Sequence, residues 1–109
     1  MVSLESDIVK FEGKIKVSKV SVLHSELKKI IDSLPSSVTI LQIDLSAVKL
    51  CDLSFWQLLL SFRKALKLRD ISTSLSSVSE SCYENCFSLG FISKSSEEIF
   101  LTEMNNMIE

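Results

Sequence analysis

An apolar strand pattern that leads through an acidic cap into an equally apolar helix is the feature that most constrains this 109-residue chain. The segment from Val38 to Leu45 is rich in valine, isoleucine and leucine, which predicts a central strand buried on both faces. A short loop then ends in Asp52, whose side chain can cap a helix that is predicted from about Leu53 to Arg69. Strand, cap and helix in this order predict an α/β fold.

The residues before this segment predict two strands and a helix. Residues 8–17 alternate between apolar and polar side chains, which indicates a hairpin whose turn lies near Gly13. Either Ser18 or Ser21 is then predicted to cap a helix that runs to Leu34 with apolar residues at helical spacing.

The residues after the central helix predict one more strand and two more helices. Ile71 to Val78 has period two, with a mostly small polar face, and predicts a strand. Ser79 is predicted to cap a third helix closed by Gly90, and Ser95 or Ser96 to cap a fourth. The predicted order is β-β-α-β-α-β-α-α, a mixed sheet of four to five strands covered by about four helices.

Length and charge limit the classes of function. A chain of 109 residues predicts a single domain over residues 1–109. The net charge of −2, with basic and acidic residues intermixed, argues against nucleic-acid binding. The longest apolar runs, at about ten residues, are too short to span a bilayer, and the N-terminal residues lack the features of a secretion signal. We therefore expect a cytoplasmic protein that does not insert into a membrane.

Few residues point to catalysis or to a cofactor. Cys82 and Cys86 share one face of the third helix, but a zinc site needs two more ligands and His24 is the single histidine. With no secretion signal and an odd cysteine count, the cysteines are expected to be reduced. Asp44 and Asp52 are explained as a strand-end acid and a helix cap. The sequence therefore predicts no metal, no cofactor and no enzyme activity.

The order of elements, with Asp44-Leu45-Ser46 closing the central strand and Asp52-Leu53-Ser54 opening the next helix, resembles the STAS domain, a family named for sulfate transporters and anti-sigma factor antagonists. Members typically carry a glycine after the second strand, an acid at the end of the central strand, an Asp-Ser-Ser/Thr-Gly-Leu motif at the second helix and a Gly-Leu pair after the third. The similarity covers roughly residues 8–100. The corresponding positions here are Gly13, Asp44, Asp52-Leu53-Ser54-Phe55-Trp56 and Gly90-Phe91.

The resemblance implies a non-enzymatic switch in which a partner kinase phosphorylates the serine after the motif aspartate. The added charge of about −2 then breaks the complex with an anti-sigma factor. Leu53 holds that position here and has no hydroxyl, so we expect the usual switch to be lost. Ser54, one residue later, is an alternative phospho-acceptor, or else a hydroxyl that caps the first helical turn.

The second helix carries more apolar surface than one core needs. An advance of about 100° per residue places Phe55, Leu59 and Phe62 on the side that suits the core. The opposite side is predicted to bind a partner, with Trp56 as an interface hot spot. An alternative is that Trp56 folds against a neighbouring loop. The predicted partner-binding residues are Leu53, Trp56, Gln57, Leu60, Lys64 and Lys67.

The resemblance to the STAS family implies a bacterial signalling protein that is similar to an anti-sigma factor antagonist and acts in transcription regulation. The expected partner is an anti-sigma factor with serine kinase activity. Two alternatives use the same helix face: an accessory subunit of an ABC transporter, or a chemotaxis-associated STAS protein. A homodimer is a further alternative, because an apolar patch can be buried against its own copy.

Overall fold

A computed structural model describes residues 1–107, and over this range the chain forms four strands and four helices. In chain order these are β1 (Val2–Glu5), β2 (Ile8–Ile15), α1 (Val17–Ser33), β3 (Ile40–Cys51), α2 (Leu53–Lys67), β4 (Ser72–Val78), α3 (Glu80–Ser88) and α4 (Glu97–Asn106). The predicted order β-β-α-β-α-β-α-α and the mixed α/β class are confirmed.

The four strands form one mixed sheet in the order β1-β2-β3-β4. β1 and β2 are antiparallel, whereas β3 is parallel to both of its neighbours, β2 and β4. The prediction that β3 is an internal strand is therefore confirmed. α1 connects β2 to β3, and α2 connects β3 to β4, so both connections step in the same direction across the sheet. Because such crossovers are right-handed, both helices lie on the same face of the sheet.

Only one face of the sheet is buried in the described residues. Alternate side chains of the strands, such as Val9, Phe11 and Ile43, are fully buried under the helices. The prediction that β3 is buried on both faces is wrong, because Ile40 is 59% exposed and Gln42 is also exposed. The exposed side chains of the open face include Ser3, Glu5, Ile8, Lys10, Glu12, Ile40, Gln42, Ser72 and Ser74.

The hairpin turn lies earlier than the sequence pattern indicated. β1 and β2 are joined through Ser6 and Asp7, and β2 runs without interruption past Gly13. Gly13 instead lies at a shift in the register between β2 and β3, with a φ of 88°. Glycine adopts positive φ without steric penalty, so it fits a β-bulge as well as it fits a turn.

β3 is longer than predicted and moves Asp44 away from the strand end. The strand continues through Cys51, and no loop separates it from Asp52. A register shift against β4 between Ile43 and Asp44 lets the strand bend, and its last part stays paired with β2 up to Ile15. Asp44 is therefore a mid-strand residue, and the prediction that it closes β3 is wrong.

Three of the four predicted helix starts agree with the structure. Asp52 caps α2, Ser79 caps α3, and Ser96 rather than Ser95 caps α4, each accepting a hydrogen bond from a backbone N–H in the first turn. Gly90 follows the C-terminal end of α3 with a φ of 82°, as predicted for its C′ residue. None of the helices in residues 1–107 is long and apolar enough to span a membrane.

α4 packs along the outer edge of β4 through polar side chains. The Asn105 amide accepts a hydrogen bond from the Leu75 N–H (2.7 Å) and donates one to the Leu75 carbonyl (3.3 Å). From α2, the buried Arg63 donates to the Thr73 hydroxyl (2.8 Å) and to the Met104 carbonyl (2.7 Å). These contacts fix α2, β4 and α4 relative to one another.

Candidate interaction site

A single carboxylate, that of Asp52, holds the first turns of two helices. One oxygen accepts hydrogen bonds from the Ser54 hydroxyl and from the Phe55 N–H at the start of α2 (3.4 Å for Phe55). The other oxygen accepts from the Val17 N–H at the start of α1 (2.9 Å). Because helix N-termini carry unsatisfied N–H groups and partial positive charge, one carboxylate stabilises both.

The start of α1 was predicted two to five residues too late, since the observed N-cap is Lys16 rather than Ser18 or Ser21, and the reason is the same carboxylate. Lys16 occupies the N-cap position and makes no side-chain capping bond. The capping group comes instead from Asp52, which lies 35 residues further along the chain. Nearby Ser or Thr residues are the usual local signal for a helix start, so a cap from a distant residue leaves no signal near Val17.

Hydrogen bonding also sets the ionisation of Asp52. Its slight desolvation raises the pKa, but the hydrogen bonds from Ser54, Val17 and Phe55 lower it more, so the pKa lies below its ordinary value. Asp52 is therefore ionised at neutral pH and carries a full negative charge between the two helix starts.

Exposed apolar side chains surround this junction. Val17 is 71% exposed, Leu53 is 45% exposed and Leu50 is 39% exposed. Leu53 directly follows Asp52, and Leu50 precedes it by two residues. Single exposed leucines are common on protein surfaces, whereas contiguous exposed apolar patches mark interaction sites. We call these three residues the junction patch.

The outer face of α2 extends from the junction patch. Gln57, Lys64 and Lys67 are exposed and Leu60 is half-buried, so together with Leu53 five of the six predicted partner-binding residues have surface that a partner can contact. Beside this face, a groove of about 340 Å³ runs between α1 and α2. Its walls include the exposed His24 and Lys28, together with apolar side chains of both helices.

Trp56 was predicted on the partner-binding face and is instead fully buried. Its ring contacts Phe55 and Phe100, and its Nε1 donates a hydrogen bond to the Asn85 side-chain oxygen (2.7 Å). Packing by α3 and α4 covers this side of α2, which moves the solvent-facing side of the helix toward Leu53 and Gln57. The prediction that Trp56 contacts a partner is therefore wrong. The alternative that it folds inward was closer, although helices rather than a loop cover it.

Comparison with known families identifies the fold. The sequence profile of the STAS domain matches residues 3–105. This chain belongs to the STAS family. A search of curated proteins gave no match. Among solved structures, the STAS domain is similar to a crystal structure titled "Crystal Structure Analysis of Mglu", with 17% sequence identity and a TM-score of 0.53. The alignment covers 70% of this chain and 19% of that one, so this likeness concerns the fold alone.

The motif residues of this STAS domain fall at two separate places. Residues 45–51 of β3 separate Asp44 from Asp52, on the order of 20 Å of strand at about 3.3 Å per residue. Asp44 lies on the open face of the sheet, where it accepts hydrogen bonds from the Ser77 hydroxyl (2.7 Å) and the Ser46 N–H (2.8 Å). Partial burial raises the pKa of Asp44, but these hydrogen bonds lower it by more. The pKa of Asp44 therefore also lies below its ordinary value.

The cysteines of the STAS domain are buried and free. Cys51, Cys82 and Cys86 all lie in the core, so the shared face of the two α3 cysteines is an inward one. Within residues 1–107, no group of three or more His, Cys, Asp or Glu side chains is arranged to hold a metal ion.

Proposed function

We propose that this STAS domain is a non-enzymatic binding module that docks on a protein partner through the junction patch and the outer face of α2. The observation that carries the proposal is the exposure of Val17 and Leu53, at 71% and 45%, where one carboxylate joins two helix starts. Apolar side chains on a rigid junction lose little conformational freedom when they are covered, which favours binding.

The charges along α2 support a partner with an acidic surface. Lys64 and Lys67 lie in the last turn of α2, on the C-terminal side of the apolar residues of its first turns. Lys28 lines the neighbouring groove, together with Arg69, which forms an ion pair with Asp32. Basic side chains at the rim of an apolar patch steer an acidic partner and fix its orientation more than they add affinity.

We further propose that the partner is an anti-sigma factor of the serine kinase type, as the family's name suggests, and that the protein is a cytoplasmic bacterial regulator. An ABC transporter ATPase, a chemotaxis component or a second copy of this chain would use the same surface. Affinity capture from the source cells, followed by mass spectrometry, names the partner class. Size-exclusion chromatography with light scattering tests the second copy.

A pair of matched variants tests the surface itself. Leu53→Glu puts a charge into the junction patch, whereas Ile40→Glu puts the same charge at the far end of β3, at a residue that is 59% exposed. We expect the first variant to weaken capture of the partner by about tenfold or more and the second to keep it, because tenfold is about 1.4 kcal/mol and an unpaired charge buried against an apolar surface costs more than that. Equal capture by both variants would place the docking surface elsewhere.

We also propose that binding is not controlled by phosphorylation at the motif. Leu53 has no acceptor hydroxyl, and the Ser54 hydroxyl is bound to the Asp52 carboxylate. A phosphate on Ser54 would set a charge of about −2 beside that carboxylate and disturb the cap of both helices. Incubation of the captured complex with ATP should therefore leave Ser54 unmodified, while Leu53→Ser restores an acceptor. Stoichiometric phosphate on wild-type Ser54 with release of the partner would contradict this.

A further inference from the structure

Two cysteines from distant parts of the sequence meet in the core. The Sγ atoms of Cys51 and Cys82 are 3.6 Å apart, and both side chains are buried. Cys51 is the last residue of β3, and Cys82 lies in the first turn of α3. A contact of this length is in van der Waals range and is longer than a disulfide bond, which is about 2.05 Å.

The backbones that carry the two sulfur atoms are held together by hydrogen bonds. Ser79, the cap of α3, donates from its hydroxyl to the Val48 carbonyl of β3 (2.5 Å). The Ser81 hydroxyl donates to the Lys49 carbonyl (2.9 Å). The first turn of α3 is thus fixed against the end of β3 by the two serines that come just before Cys82. The sulfur atoms must approach each other by about 1.5 Å to reach bonding distance.

We propose that Cys51 and Cys82 form an intramolecular disulfide when the protein meets a small-molecule disulfide such as oxidised glutathione. The thiolate of one cysteine attacks the glutathione disulfide, forms a mixed disulfide and releases one glutathione thiolate. The second cysteine, also as a thiolate, then attacks the protein sulfur of that mixed disulfide and releases the other. The two protein thiol protons leave with the two reduced glutathione molecules, and the protein loses two electrons.

The surroundings of the thiols make this reaction slow but selective. Hydrogen bonding to Cys51 and burial both raise the pKa of Cys82, so its thiolate forms only when α3 briefly separates from β3. Cys86 is the competing thiol. Burial raises its pKa to about 12, and its Sγ contacts the Met104 sulfur at 3.9 Å. Reclosure of α3 therefore favours Cys51 as the partner of Cys82.

The experiment compares pairings in the folded protein. The protein is incubated with oxidised glutathione in native buffer, free thiols are blocked, and disulfides are mapped by mass spectrometry. A protease that cuts after glutamate separates Cys82 from Cys86 at Glu84. We expect the Cys51–Cys82 pair to exceed either pair with Cys86 by about tenfold, because only that pair is held in contact. This test does not depend on any partner.

Matched serine variants make the outcome decisive. Cys86→Ser should form the Cys51–Cys82 disulfide as the wild type does. Cys51→Ser and Cys82→Ser each lack one of its two sulfur atoms and cannot form it. Circular dichroism verifies that each variant is folded. Oxidation in urea provides a reference in which the folded contact is absent and all three pairings compete. A native pairing pattern equal to that in urea, a stable glutathione adduct, or no cross-link after prolonged incubation would each overturn the proposal.

Discussion

Trp56 shows how one buried side chain joins three helices. Its ring lies 5.2 Å from that of Phe55 and 5.7 Å from that of Phe100, and its indole N–H is bound to Asn85. Trp56→Ala should lower the free energy of unfolding by about 3–5 kcal/mol, because it leaves a large cavity. Trp56→Phe keeps most of the packing and should cost about 1 kcal/mol through the lost hydrogen bond.

Urea unfolding followed by circular dichroism measures both changes. Phe87→Ala is the control, since Phe87 is 44% exposed on α3 and its truncation should change the free energy of unfolding by less than about 0.5 kcal/mol. An unchanged unfolding midpoint for Trp56→Ala would mean that the indole is not part of the core.

The carboxylates of Asp44 and Asp52 make the stability of the protein depend on acid. Both have a folded-state pKa below the ordinary value of 3.8, so the unfolded chain binds their protons first as the pH falls. Their contribution to stability is complete above the unfolded-state pKa and is lost as the pH falls through the folded-state values. The free energy of unfolding should therefore be flat from about pH 7 to 5 and should fall steeply below about pH 4.

Ser54→Ala tests which bonds cause this dependence. It removes one hydrogen bond to the Asp52 carboxylate, so the fall in unfolding free energy below about pH 4 should become shallower. Ser61→Ala, at an exposed position further along α2, should keep the wild-type slope. Identical slopes for the two variants, measured by urea unfolding at several pH values, would rule out a role for the Ser54 hydroxyl.

At the scale of elements, α4 protects the edge of the sheet. The Asn105 amide takes both backbone hydrogen bonds of Leu75, the groups through which another strand could add to β4. Asn105→Ala should lower the free energy of unfolding by about 1–3 kcal/mol, because it leaves these groups unpaired. It should also promote association as protein concentration rises. Asn106→Ala changes the exposed neighbour and should do neither; light scattering and urea unfolding compare the two.

Local sequence was sufficient where the cause of an element is local. The caps Asp52, Ser79 and Ser96 lie beside the helices that they start, and each was predicted from its neighbours. The start of α1 was not, because its capping carboxylate is 35 residues away. The buried side of α2 was also misplaced at Trp56, because helical spacing defines an apolar side but α3 and α4 decide how much of it they cover.

At the scale of the whole molecule, the helices leave one face of the sheet open. Parallel strands are usually covered on both faces, and the apolar β3 pattern predicted this. The open face instead carries polar side chains such as Lys10, Glu12 and Ser74, between the exposed Ile8 and Ile40. Two crossovers that step in the same direction cannot place helices on both sides. This consequence follows from strand order, which the sequence pattern alone does not specify.

The same arrangement predicts how the molecule unfolds. Buried side chains from the sheet and from all four helices form one cluster, and Arg63 ties α2 to β4 and α4. The single tryptophan, Trp56, lies in α2 and contacts Phe100 of α4, so its fluorescence reports the docking of these two helices. Far-ultraviolet circular dichroism instead reports every helix and strand. We expect the two signals to give the same urea midpoint and slope, as in a two-state transition.

In Asn105→Ala, where α4 has lost its bonds to β4, fluorescence should change at a lower urea concentration than circular dichroism. If the two signals already separate in the wild type, α4 undocks from α2 before the rest of the molecule unfolds, and the two-state expectation is wrong.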